Sequence, residues 1–190
     1  MPGPWLSRRF FAHPALEVAR DLIGCTLVYE RAGERLAGRI VETEAYVGPE
    51  DLACHASRGR TKRTDVMFGP AGHAYVYLVY GMHDMLNVVT DRPGHPAAVL
   101  IRAVEPEGSI SAENASGPGR LCRVFGIDRE LDGVDMTAPP LRIARRRGAV
   151  PRIETSPRIG VDYAGEWAQR PFRFYDAESS AVSGPKTMRE

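Results

Sequence analysis

Lysine is almost missing from this sequence. Lys62 and Lys186 are the only two, so nearly all of the 25 basic residues are arginine. An amine nucleophile for Schiff-base chemistry is therefore scarce, the N-terminal amine being the other formal candidate. Cysteine is scarce as well. Cys25, Cys54 and Cys122 are odd in number, widely spaced and form no Cys-x-x-Cys pair. Neither a disulfide framework nor a zinc site is expected from them, and they suit a reducing, intracellular compartment. No long apolar run follows Arg8 and Arg9, so neither a signal peptide nor a membrane span is expected. There is no internal repeat. A net charge of +1 with 26% charged residues excludes both an acidic disordered chain and a bulk polycation.

What is present begins with apolar content. At 43% of 190 residues it suffices for one sizeable core and is too little for two comfortable domains. The positive charge is gathered in two clusters: Arg58, Arg60, Lys62 and Arg63, then Arg142, Arg145, Arg146, Arg147 and Arg152. A planar guanidinium suits phosphate forks and base stacking, although a charge cluster alone is also what a solvated face looks like.

Pro14 followed by Ala15, Leu16, Val18, Ala19, Leu22 and Ile23 predicts an amphipathic helix that stops at Gly24. Residues 25–30 and 36–46 predict a hairpin. Residues 74–80, 85–90 and 97–104 predict further strands, and residues 141–145, 158–161 and 171–175 short ones. Residues 52–72 form a long, polar, basic loop, a kind that is often functional. Residues 105–119 are rich in Gly, Ser and Pro and lead into a helix from Arg120 to Phe125. Residues 178–190 predict a frayed tail. The fold class expected is α+β: a single domain over residues 1–190, with a curved, mostly antiparallel sheet and flanking helices.

Side chains alternate along a strand, so Glu42, Glu44 and Tyr46 share one face, and Val41, Thr43 and Ala45 the other. The small and apolar set is expected inside. Two carboxylates roughly 7 Å apart can raise one pKa if water is excluded, one route to a general base; the alternative is a solvated face. Tyr75 and Tyr77 share a face, with Tyr80 just before a turn at Gly81, where a ring can project as a wedge. His55 is a lone loop histidine, a type more often structural than catalytic. Gly117-Pro118-Gly119 ahead of a helix start suits an anion, or is simply a turn and cap.

The chain resembles the alkyladenine (3-methyladenine) DNA glycosylases. The resemblance is carried by residues 38–51 (GRIVETEAYVGPED) and 67–83 (MFGPAGHAYVYLVYGMH), then by 86–89 (LNVV), 99–106 (VLIRAVEP), 116–122 (SGPGRLC) and 163–168 (YAGEWA). These blocks stand in the family's order and span nearly the whole chain. The resemblance implies a fold like the C-terminal domain of a formyltransferase. It implies a monofunctional glycosylase of base excision repair that flips alkylated, and also deaminated or etheno, purines out of duplex DNA and hydrolyses the N-glycosidic bond. Glu44 then activates water and Arg102 holds it. Tyr46, His55 and Tyr77 sandwich the base, and Asn87 lines the pocket. Tyr80 intercalates, and Arg120 and Met82 contact the DNA backbone. Neither metal nor cofactor is implied; the partner is damaged double-stranded DNA, without a membrane, for an intracellular monomer, in the cytoplasm or nucleoid if the source is bacterial. Without an amine in these blocks, hydrolysis without strand cleavage is expected. A catalytically silent nucleic-acid binder of the same fold and a hydrolase of free nucleosides are the other readings. The sequence departs from the family at the short stretch 103–116, at Asp84 on the hairpin tip, where an acid near phosphates is unfavourable unless it points away, and at Lys62 and Thr64.

Overall fold

A computed structural model of the chain describes residues 4–108 and 112–184. One antiparallel sheet organises it. Its strands are β1 (Thr26–Arg31), β2 (Glu34–Tyr46), β3 (Ala74–Val79), β4 (His83–Thr90), β5 (Ala97–Pro106), β6 (Leu141–Ala144), β7 (Ile153–Ser156) and β8 (Arg173–Asp176). The order is β3-β4-β5-β2-β1-β6, with β8 on β2 and β7 on β8. The 13-residue β2 is the axis: its first half pairs with β1, its second half with β8, and β5 runs along its other edge. Among the described residues three α-helices flank the sheet: α1 (Arg8–Phe11), α2 (Ala15–Leu22) and α3 (Pro118–Phe125). The fold is α+β, as expected.

Period-2 alternation gives the sheet two different faces. Val76, Leu86, Val88, Val99, Ile101 and Ala45 join the main core with Val18, Ala19 and Leu22 of α2 and Leu121 and Phe125 of α3. Each of the valine, leucine, isoleucine and phenylalanine side chains among them contributes about 1.5–3 kcal/mol by burial. Thr43, on that face, satisfies its hydroxyl by donating to the Ala19 carbonyl at 2.8 Å. Helix α3 stops at Gly126, whose left-handed backbone (φ 65°) lets its N–H and that of Ile127 return to the last-turn carbonyls.

Five expectations are corrected. The shared face of Val41, Thr43 and Ala45 fails at Val41. The β2–β5 register shifts between Ile40 and Glu42 and again between Glu42 and Thr43. This irregularity puts Ile40 in the main core with Ala45 and turns Val41 towards Ala103, Tyr175, Ala181 and Val182. The two carboxylates are not on a solvated face: Glu42 and Glu44 are both fully buried. Residues 158–161 form no strand but a loop, because Arg158 and Ile159 spend their donors on site residues described below. Strand β7 lies where none was expected. The frayed tail is overturned up to residue 184, since Ser179, Ala181, Val182 and Ser183 are buried; residues 185–190, with Lys186, lie outside the described residues. All three cysteines are buried free thiols. Among the described residues no helix is long and apolar enough to cross a membrane.

The second basic cluster belongs to the fold. Arg142 lies 3.7 Å from the ring centroid of Trp5 and bonds Glu30 at 2.9 Å. Arg146 donates to the Asp21 and Ile23 carbonyls at 3.0 and 3.2 Å, at the C-terminal end of α2, where a cation offsets the helix dipole. Arg152 pairs with Glu154 at 3.2 Å.

Candidate functional site

The other face of the sheet carries the chemistry. Cross-strand pairing sets Tyr75 opposite Asn87, Asn87 opposite Leu100, Leu100 opposite Glu44 and Glu44 opposite Arg173. One row thus crosses five strands. Two residues along each strand, on the same face, stand Tyr77, Met85, Arg102, and Glu42 or Tyr46. Loop residues 52–68 and the chain from Ile159 to Tyr163 roof this face and leave a cavity of about 460 Å³, within the ~300–1,000 Å³ usual for small-molecule sites. Tyr46, His55, Tyr77, Tyr80, Asn87 and Arg102 all line it. Glu44 stands directly behind that wall, its Oε2 accepting from the Tyr46 hydroxyl at 2.9 Å.

Each carboxylate has found the cations it needs. Glu44 Oε1 accepts the Ile159 N–H at 2.8 Å and lies 3.1 Å from Arg102 Nη1. The same guanidinium donates from Nε to Glu42 Oε1 at 2.8 Å. Glu42 also accepts from Arg173 Nε at 2.7 Å and from the Ser183 N–H at 2.7 Å, with the Ser183 hydroxyl at 2.9 Å. Burial alone would raise the Glu42 carboxyl; Arg102 and Arg173 outweigh it, and the net shift is downward. The like-charge pair imagined from the sequence is therefore replaced by a bridge: Arg102 stands between two carboxylates. Burial works against its own charge, yet the flanking Glu44 and Glu42 outweigh that and hold it more firmly protonated.

The aromatic walls are fixed from behind. Arg158, fully buried, forks onto Asp51 at 2.6 and 2.8 Å, donates to the Ala45 carbonyl at 2.9 Å and lies 4.8 Å from the Tyr46 ring centroid. Asp51 reaches that position through the turn at Gly48, where φ is +131° and a Cβ would meet the His95 ring at 2.7 Å. Burial, then the Glu44 charge, push the Tyr46 phenol well up, so it stays a donor. His55 meets the Tyr75 hydroxyl at 2.9 Å through Nδ1 and sets its ring against Tyr77, centroids 4.5 Å apart. Burial, with Arg63 and Arg58 nearby, lowers His55 to about 4, so its imidazole is neutral at pH 7. Asn87 spends its amide nitrogen on the Tyr75 and Met85 carbonyls at 3.0 and 3.3 Å, leaving its carbonyl oxygen to offer.

At the rim, Tyr80 is 88% exposed with φ +52°, followed by Gly81 at +69°. Two successive positive φ values make the tight primed turn that suits a twisted hairpin. Holding a non-glycine residue there costs ~1–2 kcal/mol. Met82 is 72% exposed beside it. Arg120 is exposed at the start of α3 and is not part of the cavity wall. That helix start abuts the hairpin tip, since a Cβ on Gly119 would meet His83 at 3.1 Å. Asp84 lies 3.8 Å from Arg129 and is only partly exposed. Lys62 is exposed, and Thr64 is buried in a turn with Thr61. Among the described residues no cluster of three His, Cys, Asp or Glu is placed to hold a metal.

Sequence reasoning missed Arg158, Arg173, Ser183 and Ile159, and placed Arg63 in a basic cluster without bringing it to the cavity. Two strand-borne carboxylates facing inward demand counter-cations, and Arg173, alternating with Phe172 and Phe174, carried that signal. Ser183 and Ile159 act partly through backbone N–H groups, which no side-chain pattern encodes.

Comparison with known proteins gives the chain its family. A family profile described as methylpurine-DNA glycosylase (MPG) matches residues 9–180. A protein of Myxococcus xanthus provisionally named 3-methyladenine DNA glycosylase is 55% identical over 189 residues, covering 97% of each chain. One of the same name from Methanocella arvoryzae is 54% identical over 192 residues, covering 95% of this chain and 96% of the relative. A third, from Legionella pneumophila strain Lens, is 48% identical over 94% of this chain and 97% of its own. The chain belongs to the methylpurine-DNA glycosylase family.

Proposed function

We propose that this protein excises damaged purines from duplex DNA by simple hydrolysis, leaving an abasic site. The observation that carries the reading is a fully buried carboxylate, Glu44, tied to Arg102 and to the Tyr46 phenol at the back of a cavity walled by tyrosines. A glycosidic bond inside a duplex is out of reach, so the nucleotide must be everted, at a cost of a few kcal/mol that is smaller for a damaged base. The base enters between Tyr46 and Tyr77, with the edge of His55 and the carbonyl of Asn87 around it. Tyr80, presented at the hairpin tip, fills the gap in the stack. Met82 and Arg120 hold the backbone beside it.

Water then sits against Glu44 and Arg102. As the C1′–N bond breaks, its electron pair goes to the purine and the sugar becomes oxocarbenium-like. The carboxylate stabilises that charge and takes the proton from the attacking water. An N3- or N7-alkylated purine is cationic and accepts the electron pair without an acid. A deaminated or etheno purine leaves only with a proton supplied. Lys62 lies on an exposed loop outside the cavity wall, so among the described residues no side-chain amine is offered for Schiff-base chemistry; a borohydride-stable DNA adduct would contradict this. The protein acts as a monomer.

The test is release of free base from methylated duplex DNA by the native protein and by Glu44→Gln. The substitution is expected to lower excision by ~10²–10⁴-fold or more while DNA binding persists. Tight binding by the native protein with no base released would instead favour a silent binder. Equal activity on free nucleosides would favour a nucleosidase.

A further inference from the structure

Both aromatic walls of the cavity carry an arginine, and the two arginines differ in charge balance. Behind Tyr46, Arg158 is neutralised by its fork to Asp51. At Tyr77, the guanidinium of Arg63 lies 5.1 Å from the ring centroid and itself lines the cavity. Arg63 is exposed, and among the described residues no carboxylate pairs with it. The Tyr77 ring, one wall of the cavity a purine would enter, thus already engages a permanent cation.

We propose that Arg63 is a specificity-determining residue that biases excision towards neutral damaged purines and against cationic ones. The inference rests on the glycosylase reading above. A purine alkylated at N7 brings a positive charge to within a few ångströms of this guanidinium and has lost the N7 lone pair. It must displace Arg63 from Tyr77 and still feel its field. A neutral purine with free N7 and O6 lone pairs, such as hypoxanthine, meets donors instead. The cation–π gain that a charged base would draw from Tyr77 is partly cancelled before the base arrives.

The experiment compares single-turnover excision, at saturating protein, from two duplexes of one sequence that carry hypoxanthine or 7-methylguanine, with spontaneous depurination subtracted. Arg63→Gln, Arg63→Lys and native protein are measured side by side. The ratio of hypoxanthine to 7-methylguanine excision is expected to fall about tenfold in Arg63→Gln, the scale of one charge at an exposed site where solvent screens most of its field. It is expected to stay near the native value in Arg63→Lys. An equal loss on both duplexes, or a ratio that rises, overturns the proposal and leaves Arg63 a plain DNA contact. A Lys variant that behaves like the Gln variant overturns the charge argument. Native protein that releases neither base sinks the glycosylase reading itself, a result distinct from an unchanged ratio. Because Arg63 is exposed, matching thermal melts for the three proteins confirm that each is folded.

Discussion

The two walls of the cavity are built from the same pair, a tyrosine with an arginine on its face, and yet they serve opposite ends. Arg158 is fully buried and holds Asp51, the Ala45 carbonyl and the Trp167 carbonyl at 2.6–3.2 Å. Arg63 is exposed and holds the Tyr77 ring. A buried arginine with a carboxylate fork is a structural part, because removing either partner strands a charge away from water. An exposed arginine on a ring is replaceable as far as folding is concerned, so its presence bears on what enters the cavity. The two basic clusters repeat the contrast. Arg142, Arg146 and Arg152 are committed to Glu30, Trp5, the end of α2 and Glu154, whereas in the first cluster Arg60 pairs with Asp65 and Arg63 lines the cavity.

The comparison can be broken or sharpened by measurement. Arg158→Ala should destabilise the fold most, by ~3–5 kcal/mol in chemical denaturation, because Asp51 is left charged and unpaired; a loss no larger than that of Arg63→Gln would erase the distinction between the walls. At the far edge, Arg146→Ala should cost ~1 kcal/mol of stability with DNA affinity unchanged. Arg58→Ala should do the reverse, weakening DNA binding and lowering the salt slope by ~1 if it contacts one phosphate, with no change in melting temperature. The smallest effect concerns His55. Its folded pKa of about 4 lies below the 6.5 of the free side chain. Between those pH values the unfolded chain binds a proton that the folded chain refuses, so stability declines as pH falls through that window. Melting temperatures of His55→Asn should decline less steeply from pH 6.5 to 4 than those of the native protein.

Most strand positions were legible because period-2 alternation is local, whereas His55, Asn87 and Arg102 were reached only through the family resemblance. Alternation around Tyr75 and Tyr77 and the shared face of Glu42, Glu44 and Tyr46 follow from period 2. The predicted helix after Pro14 is α2. What escaped depends on distant partners. The bulge at 41–42 is a property of two strands in register, and β2 alone does not announce it. Glu42 looked like a solvated charge because its neutralising groups, Arg102, Arg173 and Ser183, lie 60, 131 and 141 residues further on. Residues 178–184 read as a tail from their small, polar composition. They are ordered because Ala181 and Val182 cover Val41 and Tyr175 and because the Ser183 N–H supplies what a buried carboxylate requires.

That long reach has a bearing on biogenesis. Chains are made from the N-terminus, so β2 is complete well before the segment that closes over it has been translated. Until then the half-built sheet presents glutamates where a finished protein would normally present valines. An unfinished surface of that kind resists sticking to neighbouring nascent chains. The acidic pair that serves the mature centre thus keeps the unfinished sheet charged until Arg102 and then Arg173 have been made to neutralise it.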